Sequence, residues 1–62
     1  MKVRDIIKRL EDDGWTQIGQ KGSHRQFKHA VKPGRVTVAG RPGGEPPIKT
    51  VKSILKQAQI EE

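Results

Sequence analysis

Val3, Ile6, Ile7 and Leu10 recur at i, i+3, i+4 and i+7. That spacing lays one apolar stripe along a helix and predicts one over residues 3–13. Asp5 with Arg9, and Lys8 with Asp12, stand four apart on the polar side, each pair worth about 0.2–0.5 kcal/mol. Gly14 supplies a left-handed stop. The period then shortens to two. Residues 15–19 read as a first strand, with Ile18 turned inward and Trp15 packed under the helix–strand turn. Gln20–Ser23 contains the turn signal Lys21-Gly22-Ser23. In a second strand, His24–His29, Phe27 must face the core. Parity then sets Arg25 and His29 on its side and His24, Gln26 and Lys28 toward solvent. Lys32-Pro33-Gly34 makes the next turn. A third strand, Arg35–Ala39, turns Val36 and Val38 inward, so Arg35 and Thr37 join the outer face. After a Gly/Pro-rich connector, Gly40–Pro47, Thr50 caps a second helix running to about Ala58. Val51, Ile54, Leu55 and Ala58 repeat the apolar stripe, and Lys49, Lys52 and Lys56 fall opposite it.

The predicted order is helix, three strands, helix: an α+β chain forming one domain over residues 1–62, without repeats or a dividing linker. Two amphipathic helices would cover one face of a three-stranded antiparallel meander and leave the other face wet. This two-layer layout resembles the double-stranded RNA-binding domain. In that fold a lysine cluster at the start of the second helix meets phosphates, and Lys49, Lys52 and Lys56 have similar placement.

Charge changes the picture from scaffold to partner. The 62 residues carry a formal net charge of +6. Between Gly14 and Ile60 there are nine Lys or Arg against one acid, Glu45. Such a surface attracts phosphate, so nucleic acid is the first expected partner, an acidic protein the second and an anionic membrane surface the last. No apolar run exceeds two residues, which excludes a membrane-spanning helix or signal-peptide core. A chain this short supports a two-layer core but not a deep pocket, so no cofactor site is expected. The connector lacks the Gly-Lys-Ser/Thr ending of a phosphate-binding loop. There are no cysteines, which excludes disulfides and thiolate metal sites and fits a reducing cytoplasm.

Within the basic segment, His24 is the candidate for chemistry. Histidine exchanges protons near neutrality. RNA carries its own nucleophile, the 2′-hydroxyl beside the phosphate. Cleavage needs that proton removed, the leaving 5′-oxygen protonated, or the extra charge on phosphorus stabilised. His24 supplies proton transfer. Lys28 and Arg35 share its face, Lys21 and Ser23 stand in the adjoining turn, and Gly22 lets the backbone approach a phosphate. A two-histidine mechanism is disfavoured, because His24 and His29 point to opposite faces. A two-metal mechanism is disfavoured too, because no carboxylates cluster near His24 and no metal site is expected. Ser23 as a nucleophile has no acid–base partner beyond its neighbour. His29 reads as structural or merely exposed. The basic face alone serves a ribonuclease and a non-catalytic RNA-binding module equally well.

Several segments together resemble the HicA (YcfA-like) toxins. They are the amphipathic start ending in Asp13-Gly14-Trp15, the run Gln20-Lys21-Gly22-Ser23-His24 followed by Phe27, the Val36-Thr37-Val38 strand, and the closing Thr50-Val51-Lys52-Ser53-Ile54-Leu55-Lys56-Gln57-Ala58. The resemblance covers nearly the whole chain. It implies an RNA-cleaving toxin of the double-stranded RNA-binding fold, acting on mRNA in the cytoplasm and neutralised by a HicB-type antitoxin. The family's catalytic histidine maps onto His24. Many relatives have glycine where this chain has Gln59. Many also carry a Pro-His or His-rich stretch where this chain has Ala39-Gly40-Arg41-Pro42.

Overall fold

A computed structural model describes residues 1–60. The elements are α1 (Val3–Asp12), β1 (Trp15–Lys21), β2 (His24–His29), β3 (Arg35–Val38) and α2 (Ile48–Gln57). The strands form one antiparallel meander in the order β1-β2-β3. Helix α1 packs on β1, α2 packs on β3, and the two helices touch. The expected α+β sandwich of one sheet and one helix layer is therefore the fold. Its core joins Val3, Ile6 and Leu10 of α1, Trp15, Phe27, Val36 and Val38 of the sheet, and Val51, Ile54, Leu55 and Ala58 at α2. These are the apolar residues that the two periodicities picked out, with Ile7 only partly buried at the core's margin and with one outright exception.

The exception is Ile18, which is 49% exposed rather than inward. Gln17 pairs with Phe27 and Gly19 with Gln26, so Ile18 is the extra residue of a β-bulge. A bulge breaks strict alternation and removes its residue from the face that parity assigns. Beyond it β1 continues to Lys21, so the expected Gln20–Ser23 turn shrinks to Gly22-Ser23. The second correction concerns α2. It starts at Ile48 behind Pro47, with no side-chain cap, so Thr50 lies inside the first turn. Proline fixes the φ that a helix entry needs, and here it overrides the hydroxyl signal. At α1, Asp5 Oδ2 accepts the Lys2 backbone N–H at 3.0 Å, one half of a capping box. Lys8 pairs with Asp12 at 3.7 Å.

The helix ends show how so small a chain closes. Gly14 takes φ +103° after α1. At the end of α2 the residue with positive φ is Gln59, at +55°. Its N–H reaches Lys56 O at 3.0 Å and the Ile60 N–H reaches Leu55 O at 2.9 Å, the two bonds of a Schellman motif. Ile60 tucks against the core, completing the motif's apolar contact.

A polar cluster joins the two C-terminal helix ends. Lys32 Nζ donates to Asp13 Oδ2, to Ala58 O at 3.2 Å and to Gln59 O at 2.9 Å. Trp15 Nε1 donates to Ala58 O at 3.3 Å, and the Trp15 ring meets His29 edge-on with centroids 5.3 Å apart. His29 Nδ1 accepts the backbone N–H groups of Val31 at 2.9 Å and Lys32 at 3.0 Å, so it carries no proton. Nε2 is then the donor to Asp13 O, at 2.7 Å. A cation here also complements the negative ends of both helix dipoles. The Lys32 ammonium beside Asp13 lowers that carboxyl below its ordinary value, although desolvation opposes the shift.

Candidate nucleic-acid interface

The site is built on the β1–β2 hairpin. Lys21 and His24 are cross-strand partners flanking Gly22-Ser23. Gly22 has φ +60° while Ser23 does not enter the positive region, the sign pattern of a type II′ turn. A two-residue turn of this kind leaves no slack between Lys21 and His24. Gln20 Nε2 donates to Gly22 O at 2.9 Å and clasps the turn further. Cross-strand partners share a face, so Lys21 and His24 both project from the wet side of the sheet. His24 is exposed and makes no side-chain hydrogen bond or ion pair to any described residue.

The same face carries Gln26 opposite Thr37 and Lys28 opposite Arg35. Arg35 Nη1 reaches Gln26 Oε1 at 3.5 Å, a long contact that aligns the guanidinium along the strand. Four residues separate His24 from Lys28, or about 13 Å of extended strand. The Lys28–Arg35 pair is therefore a second contact region, not part of the surroundings of His24.

Lys49, Lys52 and Lys56 are all exposed, but on the helix layer rather than the outer sheet face. Helix α2 ends beside Trp15 and Lys32, so its start lies about 15 Å away, toward the hairpin end. Lys49 stands at that end and Lys56 at the opposite one. The structure thus groups Lys21, Gly22, Ser23 and His24, aligns Lys28 with Arg35, and keeps the three α2 lysines apart from both groups.

Two features escaped the sequence reading. One is the Asp13–His29–Lys32 cluster, whose members lie up to 19 positions apart; only the inward parity of His29 hinted at it. The other is Arg25. It shares Phe27's parity, yet its guanidinium leaves the core at the hairpin end and donates to Gly40 O at 2.8 Å. Among the described residues no three His, Cys, Asp or Glu side chains group as metal ligands would, and no helix is long and apolar enough to cross a membrane.

Fold and site together define a small basic α+β domain with a bare imidazole beside a lysine, set on a hairpin at the sheet's end. Residues 3–60 match the family described as HicA toxin of bacterial toxin–antitoxin systems. The chain belongs to the HicA toxin family, whose members are generally ribonucleases restrained by an antitoxin. Among curated proteins, none matches the chain.

Proposed function

We propose that this toxin is a metal-independent endoribonuclease that cleaves mRNA in the cytoplasm with His24 as its proton-transfer group. The observation that carries the reading is the setting of His24: exposed, unbonded, and paired across a tight hairpin with Lys21. A histidine with a structural task looks different, as His29 shows with both ring nitrogens engaged. In the proposed reaction, neutral His24 takes the 2′-hydroxyl proton. The 2′-oxygen forms a bond to phosphorus, and the bond from phosphorus to the 5′-oxygen breaks. Solvent protonates the leaving 5′-oxygen, and His24 returns its proton to solvent. The products are a 2′,3′-cyclic phosphate and a 5′-hydroxyl. Lys21 and the backbone of Gly22-Ser23 hold the phosphate, with Lys28 and Arg35 holding the chain further along. Lys49 meets RNA that wraps past the hairpin end, and Lys52 and Lys56 carry it further along α2. Restraint comes from a HicB-like antitoxin that covers His24.

The deciding experiment incubates purified toxin with RNA in excess chelator. Cleavage to cyclic-phosphate ends is expected, and His24→Ala should abolish it without moving the melting temperature. Cleavage by His24→Ala would reject the assignment, and binding without cleavage by the wild type would leave a non-catalytic RNA-binding module. In the antitoxin complex, residues 20–28 should be protected from hydrogen exchange. Unchanged exchange there would place inhibition elsewhere.

A further inference from the structure

The outward residues of the sheet line up in three rungs, and the middle rung carries no charge. Lys21 lies opposite His24 in the first. Thr16, Lys28 and Arg35 share the third. Between them Gly19 lies opposite Gln26, and Gln26 opposite Thr37. All three of these residues are exposed. Each rung stands two residues of β2 from the next, or about 7 Å. A strand of RNA held by its phosphates at the two outer rungs therefore lays a nucleotide across the middle one.

Gly19 leaves that rung open. A Cβ at this position would meet nothing within 4 Å, and φ lies outside the positive region. Neither space nor backbone angle demands glycine, although glycine costs a strand stability. A strand glycine also suits close approach of a ligand. Here it opens a gap bounded by Lys21 along β1 and by Gln26 across it.

Gln26 faces the gap with an oriented amide. A guanidinium has donors only, so the contact of Arg35 Nη1 with Gln26 Oε1 at 3.5 Å turns the amide oxygen toward β3. The two Nε2 donors have no partner among the described residues. Trp15 and Phe27, the chain's only Trp, Tyr or Phe residues, are both buried. A base on this face is therefore read by hydrogen bonds rather than stacked on one of those rings.

We infer that Gln26 is a specificity-determining residue: it reads a base beside the phosphate that reacts at His24, and favours the keto bases guanine and uracil over the amino bases adenine and cytosine. This rests on the ribonuclease reading above. Nε2 donates to O6 of guanine or O4 of uracil. Adenine and cytosine carry an amino donor at that place, so donor would meet donor. Gly19 gives the base its room. The outer rungs hold phosphates, which carry no sequence information.

The test lets purified protein cut a random-sequence single-stranded RNA pool and maps the new 5′-hydroxyl ends by sequencing. Wild type should favour guanine or uracil at one nucleotide flanking the cut. Gln26→Ala should lower that keto-to-amino ratio about tenfold, the scale of one lost base contact. Gln26→Glu, which puts acceptors in place of donors, should reverse it. Gly19→Val should slow cleavage at every base without lowering the melting temperature, because valine suits a strand. Gln57→Ala, which removes an exposed amide from α2, is the control and should keep the wild-type ratio. A wild type that cuts without base preference, or prefers amino bases, would overturn the inference. So would an unchanged ratio in Gln26→Ala or Gln26→Glu, or the wild-type rate in Gly19→Val. Complete loss of cleavage in a Gln26→Ala that melts as before would overturn it too, because it marks a part in the chemistry rather than in base reading. A wild type that binds RNA without cutting it, or a His24→Ala that cuts, would instead reject the underlying ribonuclease assignment, which keeps the two failures distinct.

Discussion

Replacing Gln59 with glycine should make this protein more stable, and the size of the gain follows from one dihedral angle. Gln59 holds φ +55° as the left-handed residue of the motif closing α2. That conformation costs a residue with a Cβ about 1–2 kcal/mol. Glycine escapes the cost but adds freedom to the unfolded chain, which offsets about 0.5–1 kcal/mol of it. The net gain is roughly 0.5–1 kcal/mol, and since 1 kcal/mol moves the midpoint of so small a domain by about 4–8 °C, Tm should rise by about 2–8 °C. The Gln59 side chain is exposed, so no packing is lost. Circular dichroism melts of the purified protein and the Gln59→Gly variant would read the shift. Gln59→Val supplies the opposite sign, because a β-branched residue tolerates this region poorly. A lower Tm for Gln59→Gly, or a higher one for Gln59→Val, would refute the strain argument.

Gly14→Ala should be severe. Its φ of +103° disfavours any side chain, and the new Cβ would stand 2.8 Å from His29 Nε2, whose ring is bonded at both nitrogens. A loss of about 2–3 kcal/mol is expected in urea melts, and a loss under 0.5 kcal/mol would contradict it. Lys32→Met should change the acid limb of stability. Hydrogen bonding to Lys32 lowers Asp13 from its ordinary 3.8, so the folded state binds fewer protons than the unfolded one as pH approaches that value. The contribution is complete above about pH 4 and fades as pH falls through the lowered folded value. The stability gap between wild type and Lys32→Met should therefore narrow below pH 4; a gap that widens there would be the wrong sign. Lys28→Ala with Arg35→Ala should flatten the dependence of RNA affinity on salt by about 1.4 in the log–log slope, two single-strand phosphate contacts' worth, measured by fluorescence anisotropy from 50 to 300 mM salt. An unchanged slope would mean that RNA does not run along the outer face.

Most of the fold was legible because its determinants are local or periodic. Both helical stripes face the core, with Ile7 alone only partly buried, and Phe27 fixed the parity of β2 and through it the exposure of His24, Gln26 and Lys28. What failed was what periodicity does not encode. A bulge adds one residue without changing composition, so Ile18 kept an inward assignment that the chain does not honour. The start of α2 was set by Pro47, a backbone constraint, while the side-chain signal at Thr50 pointed three residues too late. The Lys32 cluster depends on where helix ends meet, and nothing in the spacing of Asp13, His29 and Lys32 announces it. The hairpin was visible as a motif, but the Gly40–Gly44 turn, which Arg25 and the first N–H groups of α1 hold through its carbonyls, was not. Those bonds run through its backbone atoms, and a backbone atom leaves no mark in a sequence beyond the glycines and proline that permit the turn.

That division between backbone and side-chain bonding separates the two ends of the domain. At the end where both helices finish, side chains hold the structure: Lys32, Asp13, His29 and Trp15 bond one another or the helix carbonyls. At the end where both helices begin, the partners that fix the loops are the carbonyls of Gly22, Gly40, Pro42 and Gly44. Gln20, Arg25 and main-chain N–H groups are the donors, so the Lys21 and His24 side chains have no structural duty. A domain with so few core residues has little stability to spare for functional groups that also hold the fold. Fixing the hairpin end through backbone carbonyls leaves its Lys21 and His24 side chains bare. The helix dipoles follow the same polarity, with their negative ends toward Lys32. Substitutions at the two ends should therefore separate cleanly. Those around Lys32 should change stability in the presence or absence of RNA, whereas those around His24 should change the chemistry of a domain that melts as before.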